Sequence, residues 1–399
     1  MTNSLRSLLG REWQIIRRDR WILALVTWVP LLIFMLLWGI FSSGIARDLP
    51  IGVVDLDHSR LSRQLIRQYD ASPVLSVDQA YASVEQGSYA LRGGDIYALV
   101  VIPPKLEKQT LTGMSPTVTT FYNSQFILIA KLVNAAVMQA QGTLNASIDT
   151  LKNMADGTSV PIQAIGQAVP LRSQITPLYN SNSHYGQFIV SAAIPAVWQI
   201  AIVVTTILAL SFETRANGNT GLSLWLSRSP LRHFIMKLLP YTLLFMVQGA
   251  LFLWALYGLL GWPMHGSWGV LLLAQALMVF ACQAIACVFY LFTLDATKAM
   301  SLAAGFTAPA FAFVGVTFPA SDMPLLAQIW RAMLPVTHYL DVQVHQVNHG
   351  FSWGMATPQL LSLLSFSAVF VLVGWRLKNL ALDADPTSKQ ASKVQEITQ

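Results

Sequence analysis

The stretch QFIVSAAIPAVWQIAIVVTTILAL, residues 187–210, runs for 24 residues without a charged side chain. A helix rises about 1.5 Å per residue, so a run of this length covers the roughly 30 Å hydrocarbon core of a bilayer. Polar sequence follows at once, SFETRANG, with Glu213 and Arg215. Similar apolar stretches lie near 21–41, 238–260, 270–294, 300–318 and 358–375. The expected fold is an α-helical polytopic membrane protein with six transmembrane helices.

Composition points the same way. Of 399 residues, 54% are hydrophobic and 11% charged, against about 25% charged in a soluble domain. There is too little polar surface to coat a water-soluble enzyme, and too much apolar sequence for a disordered chain. Both cysteines, Cys282 and Cys287, fall inside one apolar run, which excludes a disulfide framework and a cysteine-based zinc site.

The net charge of +6 is unevenly placed. Residues 1–20 carry five Arg against Glu12 and Asp19; residues 211–237 carry Arg215, Arg228, Arg232 and Lys237 against Glu213. Positive flanks stay cytoplasmic, so both termini and the 211–237 segment are expected inside. The loop WPMHGSWG and the segment 320–357, with Arg331 alone, belong to the opposite side. The first span, 21–41, is a retained anchor, being too long for a signal peptide and lacking a small-residue cleavage site. Before it, Leu5, Leu8, Leu9, Trp13 and Ile16 oppose a run of Arg, the pattern of an interfacial helix on membrane lipid.

The insertion 42–185 carries ten basic and ten acidic residues, a net charge of zero. It reads as an exported, periplasmic α/β domain. PIGVVDLD (50–57) is an apolar strand, SRLSRQLIRQYDAS a helix with Leu61, Leu65, Ile66 and Tyr69 on one face, and VLSV a short strand. Asp78 is expected to cap a second helix, IYALVVIP (96–103) is a strand closed by prolines, and TVTTFYN is the last strand. Residues 124–154 form an exported helix too often interrupted by polar residues to span, 186–377 a five-helix membrane domain with a cytoplasmic loop at 211–237, and 378–399 a disordered cytoplasmic tail.

No GxxxxGK[ST] loop occurs, so any nucleotide is held by a partner. Gly93-Gly94 precedes a strand, the wrong order for a dinucleotide fingerprint, and reads as a turn. Asp341, His345 and His349 recur every four residues, with His338 nearby, and are the one weak candidate for a metal site. Polar tips at a membrane interface explain them equally, and no HExxH motif is present. Asp295 and Lys298 close the fourth span and can pair across a short turn, leaving no carboxylates inside the spans for an ion relay. Pro30, Pro195 and Pro309 fall within spans and can kink them.

Taken together, PIGVVDLDHSRLSRQLI (50–66), GDIYALVVIPPKLEKQTLTG (94–113), KLLPY (237–241) and FPASDMPLLAQIWRAMLPVTHYLD (318–341) resemble the ABC-2 type permease family over almost the whole chain. The resemblance implies the membrane subunit of an ABC exporter, in a bacterial inner membrane, moving amphipathic or hydrophobic compounds outward. It implies an ATP-binding ABC subunit that holds ATP and Mg, a second permease chain of the same or a related kind, a periplasmic adaptor in some relatives, and no nucleic acid. It also implies coupling to the ATPase through residues 1–20 and 211–237, with Arg11, Glu213, Arg215, Gly218 and Thr220 as the coupling candidates. Here Thr220 is displaced by one residue and Ala216 stands where an acid is usual, which suggests pairing with a second, more typical permease. No catalytic residue is implied. The alternatives are a membrane-anchored sensor acting through 42–185, an integral membrane metalloenzyme using the Asp341 face, and an ion-coupled transporter.

Overall fold

The computed structural model describes residues 5–42, 44–155, 180, 184–226, 230–316 and 318–382, with the side chains of 216–226 outside that description. The chain is mostly helical with one small sheet. By internal contacts it divides into two compact units, residues 1–44 with 177–399, and residues 45–176.

The first unit begins with α1 (Leu5–Arg18), α2 (Arg20–Val26) and α3 (Trp28–Ile40). Asp19 separates α1 from α2 and caps the latter, accepting from the backbone N–H of Trp21 at 3.0 Å and of Ile22 at 3.2 Å. Helices α2 and α3 meet at 45°. Pro30 explains the bend, because its ring lacks an N–H and crowds the carbonyl four residues back, that of Val26. Leu8, Glu12, Ile15 and Ile16 are buried whereas Trp13 faces outward with the Arg17 guanidinium 5.1 Å over its ring. The stripe that packs against protein follows i, i+4, i+7 spacing through Glu12.

The second unit holds β1 (Leu49–Asp55), α4 (Arg60–Asp70), β2 (Leu75–Ala80), α5 (Val84–Gly93), β3 (Ala98–Ile102), α6 (Leu106–Leu111), β4 (Thr119–Tyr122) and α7 (Ile127–Ala155). The sheet order is β2-β1-β3-β4, parallel apart from β4. Alternation along the strands sends Ile51, Val53, Val100 and Ile102 to a core shared with Leu65, Tyr69, Val133 and Val137, and sends Val54 and Leu99 to the other face with Ala90. Both faces are therefore covered, which is why these strands read as continuous apolar runs. Asp78 lies in β2, and the cap of α5 is Ser83. Gly52 permits the crossing of β1 under Tyr81, whose Cε2 would lie 2.6 Å from a Cβ at that position. Helix α7 is long and apolar enough to cross a membrane, yet it buries one face on this sheet.

The first unit resumes with α8 (Tyr185–Leu226), α9 (Pro230–Leu253) extended by a π turn at Trp254–Leu259, and α10 (Trp268–Thr293). It continues with α11 (Ala296–Thr307), α12 (Ala310–Phe313), α13 (Leu325–Met333) and α14 (Pro335–Val344) with a π turn at His345–His349, and ends with α15 (Trp353–Ser365) and α16 (Val369–Leu382). Five described helices are long and apolar enough to cross a membrane, or six if α2 and α3 make one bent span.

Three expectations are corrected here. The stretch 300–318 is not one helix: Pro309 withholds the N–H that would bond Gly305, Gly315 adopts φ +83°, and only α11 and the single turn α12 form. The supposed loop 211–237 is helix on both sides of residues 227–229, because α8 continues to Leu226 and α9 begins at Pro230. Residues 378–382 belong to α16, while the rest of the expected tail, 383–399, lies outside the described residues.

One apolar core fills this unit, with Trp198, Tyr241, Phe245, Tyr290 and Tyr339 at full burial. Buried glutamines tie its helices together. Trp198 Nε1 donates to Gln248 Oε1 at 2.9 Å, and Gln199 Oε1 accepts from the backbone N–H of Val336 at 3.1 Å, serving the start of α14. Pro195 inside α8 leaves the Ser191 carbonyl without its helical donor. Gln343 Nε2 fills that place at 3.0 Å and also donates to the Tyr257 hydroxyl at 3.1 Å. Removing it with Gln343→Leu is expected to cost about 1–3 kcal/mol, because the part-buried Ser191 carbonyl and the buried Tyr257 hydroxyl lose a donor. Adding Pro195→Ala, which returns an N–H to the Ser191 carbonyl, should recover part of the loss in thermal unfolding of the detergent-solubilised protein. No recovery in the double variant would refute this role for Gln343.

Candidate functional site

Four charged side chains from three helices meet where α1 crosses α8 and α9. Lys237 Nζ, fully buried, lies 2.8 Å from Glu213 Oε1 and 3.1 Å from Glu12 Oε2. Arg11 Nη2 reaches Glu213 Oε2 at 2.7 Å from a half-exposed position, and its Nη1 lies 3.8 Å from Glu12. Two cations balance two anions, so the cluster is neutral. Both Glu213 oxygens are engaged by different cations, one from α1 and one from α9. Breaking such a buried set by removing one member is strongly destabilising, since the partner stays desolvated and unpaired.

The local sequence explains the arrangement. Glu12 sits one turn beyond Leu8 and one turn before Ile16, on the buried stripe of α1. Lys237 falls two turns inside α9, next to Leu238 and one turn before Tyr241, so its ammonium is carried inward among apolar neighbours. Burial raises the Glu12 carboxyl above its ordinary range, even against the pull of Lys237 and Arg11. A second pair continues the line: Arg215 Nη1 is 3.5 Å from Asp19 Oδ2, and its Nη2 donates to the Leu208 carbonyl at 3.2 Å and to Ser211 Oγ at 2.8 Å. The residue that caps α2 is thus also tied to α8. Thr214, between Glu213 and Arg215, hydrogen-bonds the Tyr290 hydroxyl of α10. The start of the chain is therefore fastened to α8 by polar contacts at Glu213 and Arg215, and Thr214 between them ties α8 to α10.

The ABC-2 family transporter model matches residues 20–376 of this chain. The chain belongs to the ABC-2 transporter family. The inner membrane transport permease YhhJ of Escherichia coli (strain K12) is 22% identical over 380 residues, covering 92% of this chain and 93% of its own length. The protein of the same name from Shigella flexneri aligns equally well.

Of the ABC-2 coupling candidates, Arg11 and Glu213 meet directly and Arg215 stands beside them. Gly218 and Thr220 continue α8, and their surroundings lie outside the described residues. Sequence reasoning passed over Glu12, Asp19 and Lys237 as sites, counting them only as flanking charge. The available signal was acidic residues set singly among arginines, and a lysine opening the apolar run KLLPY.

The other chemical candidates resolve differently. Asp341 is engaged by Arg331 Nη2 at 2.7 and 2.8 Å. His345 and His349 face each other, Nδ1 to Nδ1 at 2.9 Å, within a π turn and not on the α-helical face expected for them, and Phe351 stacks on His345 with ring centroids 4.4 Å apart. Among the described residues no group of three His, Cys, Asp or Glu is placed to hold a metal ion. Asp295 caps α11 through the backbone N–H of Lys298 at 3.0 Å.

Proposed function

We propose that this chain is the membrane-spanning permease subunit of an ATP-driven exporter that moves amphipathic or hydrophobic compounds out of the cytoplasm or inner membrane. The observation that carries the reading is the neutral cluster Arg11, Glu12, Glu213 and Lys237. It fastens the amphipathic α1 to the ends of two candidate spans, so a force applied to α1 or to the facing ends of α8 and α9 reaches the bundle through paired charges. The sequence has no phosphate loop of its own, so the force comes from an ATP-binding partner that also holds Mg, and the chain is a transport subunit without enzymatic activity.

In this reading the basic flanks put both termini in the cytoplasm of a bacterium and the neutral unit 45–176 in the periplasm. There α7, its one face laid on the sheet, is part of the exported domain and not a crossing helix. A second permease chain, the same or related, supplies the other half of the translocation path, and a periplasmic adaptor and outward efflux are compatible with the exported domain. Transport is alternation between two arrangements of the paired chains, and ATP binding acts through whatever contacts differ between them. A metal centre at Asp341, His345 and His349 is not part of this proposal.

Arg215→Gln separates coupling from folding. Arg215 is half exposed in its pair with Asp19, at 3.5 Å, and pairs open to solvent on one side contribute about 0–1 kcal/mol. The variant should insert and unfold like the wild type while cargo-stimulated ATPase activity of the reconstituted complex falls several-fold. Unchanged stimulation would remove Arg215 from the coupling path.

A further inference from the structure

A groove of about 480 Å³ runs between α9, α10 and the α15–α16 pair, lined by Leu238, Leu277, Phe280, Leu363, Phe370 and Leu377 among others. Its size suits one small molecule. The walls are almost wholly apolar, and the polar side chains at the groove include a touching pair, Thr242 on α9 and Gln283 on α10. Gln283 is 1% exposed. It lies ten residues before the end of α10 at Thr293, about 15 Å inside that end of the span.

The pair is one hydrogen bond short. Thr242 Oγ1 lies 2.9 Å from Gln283 Oε1 and 3.0 Å from the Leu238 carbonyl, but a hydroxyl has one hydrogen to give. When that hydrogen goes to Gln283, the amide Nε2 is buried without a partner. When it goes to Leu238, the amide turned over donates to Thr242 and its own oxygen is left unpaired. Either way one arm of the amide is desolvated and unanswered, a costly state at membrane depth. The terminal torsion of glutamine is broad, so that arm can swing to the groove.

Acyl tails fill apolar grooves in membranes but offer no hydrogen bond at this depth, since lipid esters sit at the interface. We infer that this groove binds an uncharged apolar molecule bearing a hydroxyl group, taken from the bilayer, with the hydroxyl on the Gln283 amide. A hydroxyl satisfies both arrangements, because it accepts from Nε2 or donates to Oε1. Thr242 then fixes the amide, and the apolar walls select the body of the ligand. The site does not depend on what drives the protein.

Photolabelling of the purified full-length protein in lipid nanodiscs tests it, with a diazirine-bearing hexadecanol and the matched hexadecane as probes and mass spectrometry to place the adducts. Adducts are expected on Leu277, Phe280 and Phe370, with the alcohol favoured about five-fold over the hydrocarbon, the effect of one uncharged hydrogen bond. Gln283→Leu should lower the alcohol to the hydrocarbon level and leave the hydrocarbon unchanged. Gly374→Leu should reduce both, since a Cβ there meets no atom within 4 Å and a longer side chain would fill the groove. The wild-type comparison of the two probes needs no substitution, so a variant that fails to fold does not remove the test. Equal labelling by the two probes would mean a passive acyl-chain groove and would overturn the inference. So would adducts confined to other surfaces, or an alcohol preference that survives Gln283→Leu.

Discussion

Lys237→Met is expected to lower stability by about 3–5 kcal/mol, the range for removing one partner from a buried ion cluster. Methionine fills a similar volume, so the loss is electrostatic. Glu12 and Glu213, both nearly buried, would share Arg11 alone, and Arg11 is half exposed and nearer to Glu213. The charge count then predicts the remedy. In Lys237→Met with Glu12→Gln, one cation again faces one anion at 2.7 Å, and much of the lost stability should return. Glu12 is the carboxylate to neutralise, because burial raises its carboxyl above the ordinary range and so its charge is the costlier one to hold there. Thermal unfolding of the four proteins of this cycle in one detergent measures the coupling. Additive losses in the double variant would show that Lys237 and Glu12 do not act as a unit.

Gly249→Ala is the second large effect. An added Cβ would lie 2.6 Å from Trp198 Cη2 and 2.8 Å from Gln275 Nε2. Alanine ordinarily strengthens a helix relative to glycine by about 1 kcal/mol. Here it should instead destabilise by about 1–3 kcal/mol, because the fully buried Trp198 ring, held by Gln248, has no free volume to enter. Trp198→Phe in the same chain removes the ring atoms that clash and should recover part of the loss, despite losing the bond to Gln248. If Gly249→Ala proved neutral or stabilising by unfolding temperature, the close approach of α8 and α9 at this level would be wrong.

Much of this architecture is legible in the sequence because it rests on local periodicity. The run 187–210 lies within α8, and the near-continuous apolar runs at 49–55 and 98–102 are the pattern of strands covered on both faces, β1 and β3. The break at Pro309 and Gly315 was visible as residues but hidden by composition, since the apolar count stays high across a chain that no longer holds a helix. The cap of α5 moved from Asp78 to Ser83 because β2 extends two residues past Asp78, a pairing that depends on β1 and not on local signals.

The candidate site was legible in part. Glu213 and Arg215 come from the family pattern and Arg11 from the basic N-terminal segment; Arg11 pairs with Glu213, and Arg215 pairs with Asp19 one helix further on. Glu12 and Lys237 stand 225 positions apart. No window along the chain relates them, and each looks like ordinary flanking charge. Their common property is that the helix packing buries both, which is a fact of three dimensions.

The most direct test of the account is purification of the tagged full-length chain from its native membrane in mild detergent, followed by identification of every retained protein and an ATPase assay. The account predicts that a subunit with a phosphate loop is retained with ATPase activity, and that this activity responds to cargo in the wild type but several-fold less in Arg215→Gln. Recovery of the chain without an ATP-hydrolysing partner, under conditions that preserve other membrane complexes, would contradict it.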